Sequence, residues 1–348
     1  MIVLDNEKEK IVSSKKYNFK FNKQTGYFVR WGKNLDDDPD IAPSGEILDL
    51  EITDICTGIN GVVCPFCYKA NLPTNKQNMS FETFKTIFDK IYKTKILTQI
   101  AFGADSHATS NPDLWKMMEY AREKGVIPNI TVAQIDEDTA DKLAKYCGAV
   151  AVSVYDNKDV AYDSVKLLTD RGMKQVNIHR LIEKKSYLKT IELLNDIKND
   201  SRLSKLNAVV FLSLKQKGRG IHFERIDDVQ FMGLVKLALE KQISFGFDSC
   251  SAPKFVKAIK MLGCYDKYID MTEPCESSLF SMYINVKGEF YPCSFTEGTE
   301  GWEKGIDVVN CNDFIKDVWQ NPRLNEFRNK LLNHKDCNNC RQCPIYNI

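Results

Sequence analysis

Across residues 48–214 the spacing of hydrophobic positions switches repeatedly between two periods. Short aliphatic runs at 48–53, 97–103, 127–133, 149–154, 176–182 and 208–214 alternate with longer stretches whose apolar residues return every three or four positions. This is how parallel strands joined by crossover helices read. The class is α/β, and six such units predict a partial (β/α)6 TIM-like barrel. Helix punctuation agrees: Ser80 caps 81–94 with Glu82 in the first turn, Asn111-Pro112-Asp113 opens the next helix and Gly125 ends it. Asp136 opens a third before Gly148, and 157–172 and 187–198 give two more.

The pattern differs on either side. Tyr17, Phe19 and Phe21 alternate with polar residues, Thr25-Gly26 supplies a turn and 27–31 follows, which predicts a β-hairpin. Beyond an acidic connector at 36–43 the barrel begins. After residue 214 come a long helix at 226–241, cysteine-containing loops, a short strand pair around Gly288 and a helix at 322–333. Three segments are therefore expected: an N-terminal hairpin and connector at 1–45, the barrel at 46–225 and a smaller C-terminal domain at 226–348.

Lysine and arginine number 48 against 47 aspartates and glutamates, a net charge of +1, so no global basic field draws nucleic acid or acidic membranes. No apolar run approaches the ~20 residues that cross a bilayer. Residues 1–10 lack the apolar core of a signal peptide, and the expected location is the cytoplasm. Twelve cysteines in such a chain point to metal or redox chemistry rather than disulfides.

Cys56, Cys64 and Cys67 follow the first barrel strand, and barrel active sites sit at the C-terminal ends of strands. Structural zinc takes four ligands, but the next histidine is His107 and the next cysteine Cys147. Three thiolates that hold an iron–sulfur cluster leave one iron open, unlike the four of an ordinary electron-transfer cluster. A second set closes the chain: Cys275, twelve residues, Gly288, four residues and Cys293, then Cys337, Cys340 and Cys343. A zinc knuckle of His334 with the last three is the alternative there. Cys147 reads as a buried apolar residue; Cys264 and Cys311 have no assignment.

The C-x7-C-x2-C loop after a first barrel strand resembles the cluster motif of the radical S-adenosylmethionine (SAM) superfamily, with a longer first gap. Cys275 to Cys293 resembles the opening of the SPASM and twitch extensions. The resemblance implies a [4Fe-4S] cluster on Cys56, Cys64 and Cys67 that binds SAM, and at least one auxiliary [4Fe-4S] cluster. For the latter Cys275, Cys293 and Cys343 are expected ligands, with Cys250 as the fourth and Cys340 as its rival. It further implies SAM contacts: Phe66 near the adenine, Gly103 and Asp105 in place of a Gly-Gly-Glu segment, and Ser153, His179, Arg180 and Arg219 at strand ends. The expected reaction is reductive cleavage of SAM and hydrogen abstraction from a substrate. A peptide or protein side chain is expected first, a nucleoside or sugar second, with a flavodoxin or ferredoxin as electron donor. A non-catalytic iron–sulfur or zinc module is the reading from another class. Tyr155, Asp156, Glu183 and Asp248 lie where a general base would stand.

Overall fold

A computed structural model describes residues 1–156, 158–333, 335–337, 340–341 and 343–346. The hairpin expected at the N-terminus is half of a four-stranded antiparallel meander: β1 (Ile2–Asp5), β2 (Glu9–Ser13), β3 (Asn18–Asn22) and β4 (Phe28–Trp31), in that order. Its first two strands are only four and five residues long and show no clean alternation of apolar and polar residues. Gly26, at φ +74°, makes the turn between β3 and β4.

All six expected barrel strands form: β5 (Ile47–Glu51), β6 (Gln99–Gly103), β7 (Ile127–Val132), β8 (Ala149–Ser153), β9 (Val176–Ile182) and β10 (Ala208–Ser213). A three-residue β11 (Phe245–Phe247) adds a seventh parallel strand beside β10. On the other edge, β12 (Ser281–Ile284) pairs in parallel with β5, and β13 (Glu289–Tyr291) and β14 (Ile306–Asp307) follow antiparallel. The result is one ten-stranded sheet.

Helices cover its outer face. Ser80 caps α1 (Phe81–Tyr92) by accepting from Thr83 N, and Asp136 caps α3 (Glu137–Tyr146) through Thr139 N. Between them lies α2 (Leu114–Glu123), and α4 (Lys158–Asp170) and α5 (Tyr187–Asn199) continue the series. Asp227 and Gln230 form a capping box on α6 (Asp228–Glu240). Alternate strand residues, Leu48, Leu50, Ile100, Phe102, Ile130, Val132, Val150, Val152, Ile178, Val209 and Phe211, are buried against these helices. Each such side chain contributes about 1.5–3 kcal/mol, so the outer face fixes which residues turn inward.

The inward set is polar or small. Tyr283, Asp49, Ala101, Asn129 and Ala149 lie in register across five strands, and from Ser153, also on β8, the series continues through His179 and Val210 across two more. A closed eight-stranded barrel fills these positions with bulky aliphatic side chains. Here Asp49, Gly103 and Thr131 remain solvent-accessible in mid-sheet, which marks the inner face as the wall of a recess. The meander closes the recess at the strands' N-terminal ends: Lys10 Nζ donates to Leu97 O (2.8 Å), Gln175 Nε2 to Thr25 O (3.1 Å), and Arg30 is bidentate to Glu46.

Candidate functional site

The chain leaves β5 into the cysteine loop at the opposite, open end. Seven residues separate Cys56 from Cys64, and most of them close on themselves. Ile59 and Val62 exchange backbone hydrogen bonds of 3.0 and 2.9 Å around Asn60-Gly61. Both turn residues have positive φ, +49° and +78°, the requirement of a tight type I′ turn. The loop is thus lengthened by a small hairpin, and the cysteines on either side still meet. Gly58 sits against this hairpin, and its carbonyl accepts from Ser106 Oγ (2.6 Å) and is 2.8 Å from His107 Nε2, so the loop after β6 holds the loop after β5.

A second clamp comes from the turn after β10. Arg219 donates through Nε to Cys64 O (2.9 Å), through Nη1 and Nη2 to Asn71 O (3.2 and 3.3 Å) and through its backbone N–H to Cys67 O (3.0 Å). Gly218, at φ +55°, lies so close to the carbonyls of Cys67 and Tyr68 that a Cβ there would stand 2.7 and 2.4 Å from them. Between these clamps, burial and then the thiols of Cys67 and Cys56 push the Cys64 thiol up to about 11. The three thiols therefore face one another, and that of Cys64 stays protonated near neutral pH until a metal displaces the proton. Phe66 packs on Tyr155 (4.8 Å) and Phe223 (6.0 Å), and the Tyr155 hydroxyl reaches Cys64.

Four more cysteines converge beside this loop. Cys250 follows β11 and lies within electrostatic reach of Cys275 and Cys293; Cys293 in turn senses Cys275 and Cys343. Burial raises the thiol pKa of Cys250 and Cys275, and takes Cys293 up to about 11. Four convergent thiols suit a cluster that needs no open iron. His334 lies outside the described residues, as do the side chains of Cys337 and Cys340. Cys147 is buried in the core with its thiol 3.9 Å from Met118 Sδ. The Cys311 thiol points to Val308 O (3.2 Å), in a loop whose carbonyls Lys90 gathers. Among the described residues, no three side chains of His, Cys, Asp or Glu close on a single-ion position.

The two cysteine groups are joined by side chains. Tyr68, next to Cys67, packs 4.4 Å from Phe295, two residues after Cys293. Lys69 pairs with Glu51 (3.0 Å) and Glu297 and donates to Tyr283 Oη (2.8 Å). Lys217 donates to the carbonyls of Phe295 (3.3 Å) and Glu297. Residues 275–344 match the SPASM family model, described as an iron-sulfur cluster-binding domain. This end of the chain is a SPASM domain. The resemblance of this segment to a SPASM extension is borne out, and the cysteines there fit an iron–sulfur cofactor.

No curated protein sequence matches the chain. Among solved structures, BtrN in complex with AdoMet and 2-DOIA is similar at 14% identity and a TM-score of 0.43, covering 82% of this chain and 87% of that one. Selenomethionine BtrN in an open conformation follows at 12% and 0.37, over 85% and 92% of the chains. An HpcH/HpaI aldolase from Desulfitobacterium hafniense DCB-2 stands at 11% and 0.36, over 66% and 93%. At such scores none of the three bears on the mechanism of this chain.

The SPASM segment and the barrel share one recess, and several expected SAM contacts do not face it. Arg180 belongs to the same strand parity as Ile178 and Ile182, so it points outward, donating to Val154 O (3.0 Å), Thr190 Oγ1 (3.0 Å) and Ser186 O (3.2 Å). Strand alternation alone carried that signal. Asp105 is buried and accepts from Thr109 N (2.8 Å) and Ser110 N (3.2 Å), so it shapes its own loop instead of replacing a glutamate. Arg219 is engaged by loop carbonyls. Gly103, Ser153 and His179 do lie on the inner face, where burial lowers the imidazole of His179 to about 4 and keeps it neutral. The base candidates are occupied: Asp156 pairs with Lys189, Glu183 accepts from Lys185 N (2.8 Å), Asp248 pairs with Lys215, and Tyr155 lies on Cys64. Sequence reasoning passed over Asp49, an inner-face carboxylate that enclosure and the nearby Glu276 push up to about 6. Its signal was a charge in mid-strand, in phase with Glu51.

No helix among the described residues is long and apolar enough to cross a membrane.

Proposed function

We propose that Cys56, Cys64 and Cys67 hold the SAM-binding cluster, that Cys250, Cys275, Cys293 and Cys343 hold one auxiliary cluster, and that a compact polar substrate occupies the recess between them. When bound, the first cluster and SAM supply a 5′-deoxyadenosyl radical that takes a hydrogen atom from carbon. The chain's residues do the rest. Gly58 and Arg219 fix the loop, Phe66 and Gly103 leave a flat apolar wall and a gap at the strand ends, and Asp49, Asn129 and His179 offer hydrogen-bonding groups deeper in. Covering the mouth with the Lys69, Glu297 and Tyr283 network excludes water from the reacting carbon.

The observation that carries this reading is the meeting of three thiols at the C-terminal end of β5, above a polar inner face. A small molecule such as a sugar or nucleoside, processed by dehydrogenation or rearrangement, suits that recess. A peptide side chain is the second reading. A peptide docking by strand addition would use the free edge of the meander, which lies at the closed end of the recess, away from the cysteines. A one-electron donor of the flavodoxin or ferredoxin kind completes the system.

The test is anaerobic reconstitution followed by measurement of 5′-deoxyadenosine and methionine from SAM under reducing conditions. Wild type is expected to form both, and Cys64→Ala neither. Equal turnover by the Cys64→Ala protein, or iron binding undiminished by loss of all three cysteines, overturns the assignment.

A further inference from the structure

We propose that the buried ammonium of Lys215 sets the reduction potential of the auxiliary cluster, acting through Cys250. This rests on the reading that Cys250, Cys275, Cys293 and Cys343 hold that cluster. Lys215 follows β10 and is 3% exposed. An ammonium withdrawn from water at this depth is costly unless charged or polar groups face it. Two do. Its Nζ is ion-paired with Asp248, and the Cys250 thiol lies beside the same ammonium. The Phe295 ring covers it from the SPASM side, 4.8 Å from centroid to Nζ.

Asp248 is held independently of Lys215, since it accepts from Ser213 N (3.3 Å) and from Ser251 Oγ, and Ser251 is itself bonded to Ser213 Oγ at 2.6 Å. Removing the ammonium would therefore leave a fixed carboxylate next to Cys250 without its counter-charge. Other cations stand near the four cysteines on different ligands: Arg341 Nη1 donates to Cys275 O (3.0 Å), and Lys217 lies within electrostatic reach of Cys293. Cluster potentials follow net charge and exposure. A positive charge enclosed beside one ligand favours the reduced cluster, which carries one electron more. If the auxiliary cluster accepts an electron from a substrate radical, Lys215 makes that transfer more favourable. Lys215 also begins the turn that carries Arg219, so the residue that tunes one cluster and the residue that positions the loop of the other stand four positions apart.

The measurement is a redox titration followed by electron paramagnetic resonance, in a protein whose Cys56, Cys64 and Cys67 are replaced by alanine so that only the auxiliary cluster reports. Lys215→Met, close in volume but uncharged, is expected to lower the midpoint by on the order of tenfold in the reduction equilibrium, about 59 mV for one electron. Lys215→Arg retains the charge and is expected to stay near the parent value. Asp248→Asn is expected to shift it the other way, and its sign decides the matter should the Met variant fail to load. A purely structural Lys215 would change iron content or melting temperature and leave the midpoint in place; unchanged midpoints in Lys215→Met and Asp248→Asn overturn the proposal. Absence of any cluster from the parent protein instead overturns the ligand assignment, and the tuning role with it.

Discussion

Replacing Gly58 by alanine tests whether the small hairpin between Cys56 and Cys64 is what allows a seven-residue gap to bring three thiols together. Gly58 has φ +74°, and a Cβ there would stand 2.0 Å from Val62 O, 2.2 Å from Val62 C and 2.5 Å from Val63 N. All three are backbone atoms, so no rotamer change relieves the overlap. The left-handed conformation alone costs an alanine about 1–2 kcal/mol. Opening the Ile59–Val62 turn to make room forfeits two hydrogen bonds, each about 0.5–1.5 kcal/mol net. The sum, roughly 2–5 kcal/mol, lowers the population of the closed loop by about 30- to several thousand-fold. Gly61 is the internal control: its φ is +78° but nothing lies within 4 Å of its Cβ position, so Gly61→Ala carries the conformational cost without the overlap. Iron and acid-labile sulfide are to be counted after anaerobic reconstitution, in a background lacking Cys250, Cys275, Cys293 and Cys343 so that only the loop cluster contributes. Gly58→Ala is expected to lose most of its iron and Gly61→Ala to retain most of it. Equal iron in the two variants would show that the hairpin does not govern assembly and would refute the reasoning.

Two further outcomes follow from named contacts. Arg219→Lys keeps a charge but offers no planar fork for Cys64 O and Asn71 O, and the lost charged hydrogen bonds are each worth about 1.5–3 kcal/mol. Loop-cluster loading is expected to fall while SAM affinity of the loaded fraction, read by equilibrium dialysis, is unchanged; the reverse pattern would return Arg219 to the cofactor. For Asp49, the folded-state pKa of about 6 lies above the ordinary value near 4, so its contribution to stability is present at low pH and is lost as pH rises from about 4 through 6. Asp49→Asn is therefore expected to melt higher than wild type at pH 8, with the difference vanishing at pH 4. A difference independent of pH in urea titrations across that window would place the carboxyl in ordinary solvent.

How far the sequence could be read depended on the distance over which each signal acts. Strands β5 to β10 and the caps Ser80 and Asp136 are local, and alternation or a single side-chain bond identifies them. β11 is only Phe-Gly-Phe long and gains its identity from lying beside β10. The partnership of β12 with β5 joins residues far apart in the chain and leaves no local mark. At the site, residue types were informative and directions were not. Arginines at strand ends read as SAM contacts, yet Arg180 faces a helix and Arg219 faces loop carbonyls. The convergence of Cys250 with Cys275, Cys293 and Cys343 was legible as chemistry, while its geometry depends on the short strand that precedes Cys250.

That pairing of β12 with β5 also bears on how the protein is made. β5 leads into the loop of the first cysteines, and its edge is covered by Ser281–Ile284. About 230 residues of chain separate the two. At ribosomal rates of about 5–20 residues per second, the edge stays bare for on the order of 10–50 s during synthesis. An uncovered parallel edge is a template for pairing with other chains, so this interval is when the nascent protein needs shielding. Truncation ahead of β12 would make that interval permanent, and a shortened version intended to hold only the first cluster would be expected to aggregate before it could be loaded.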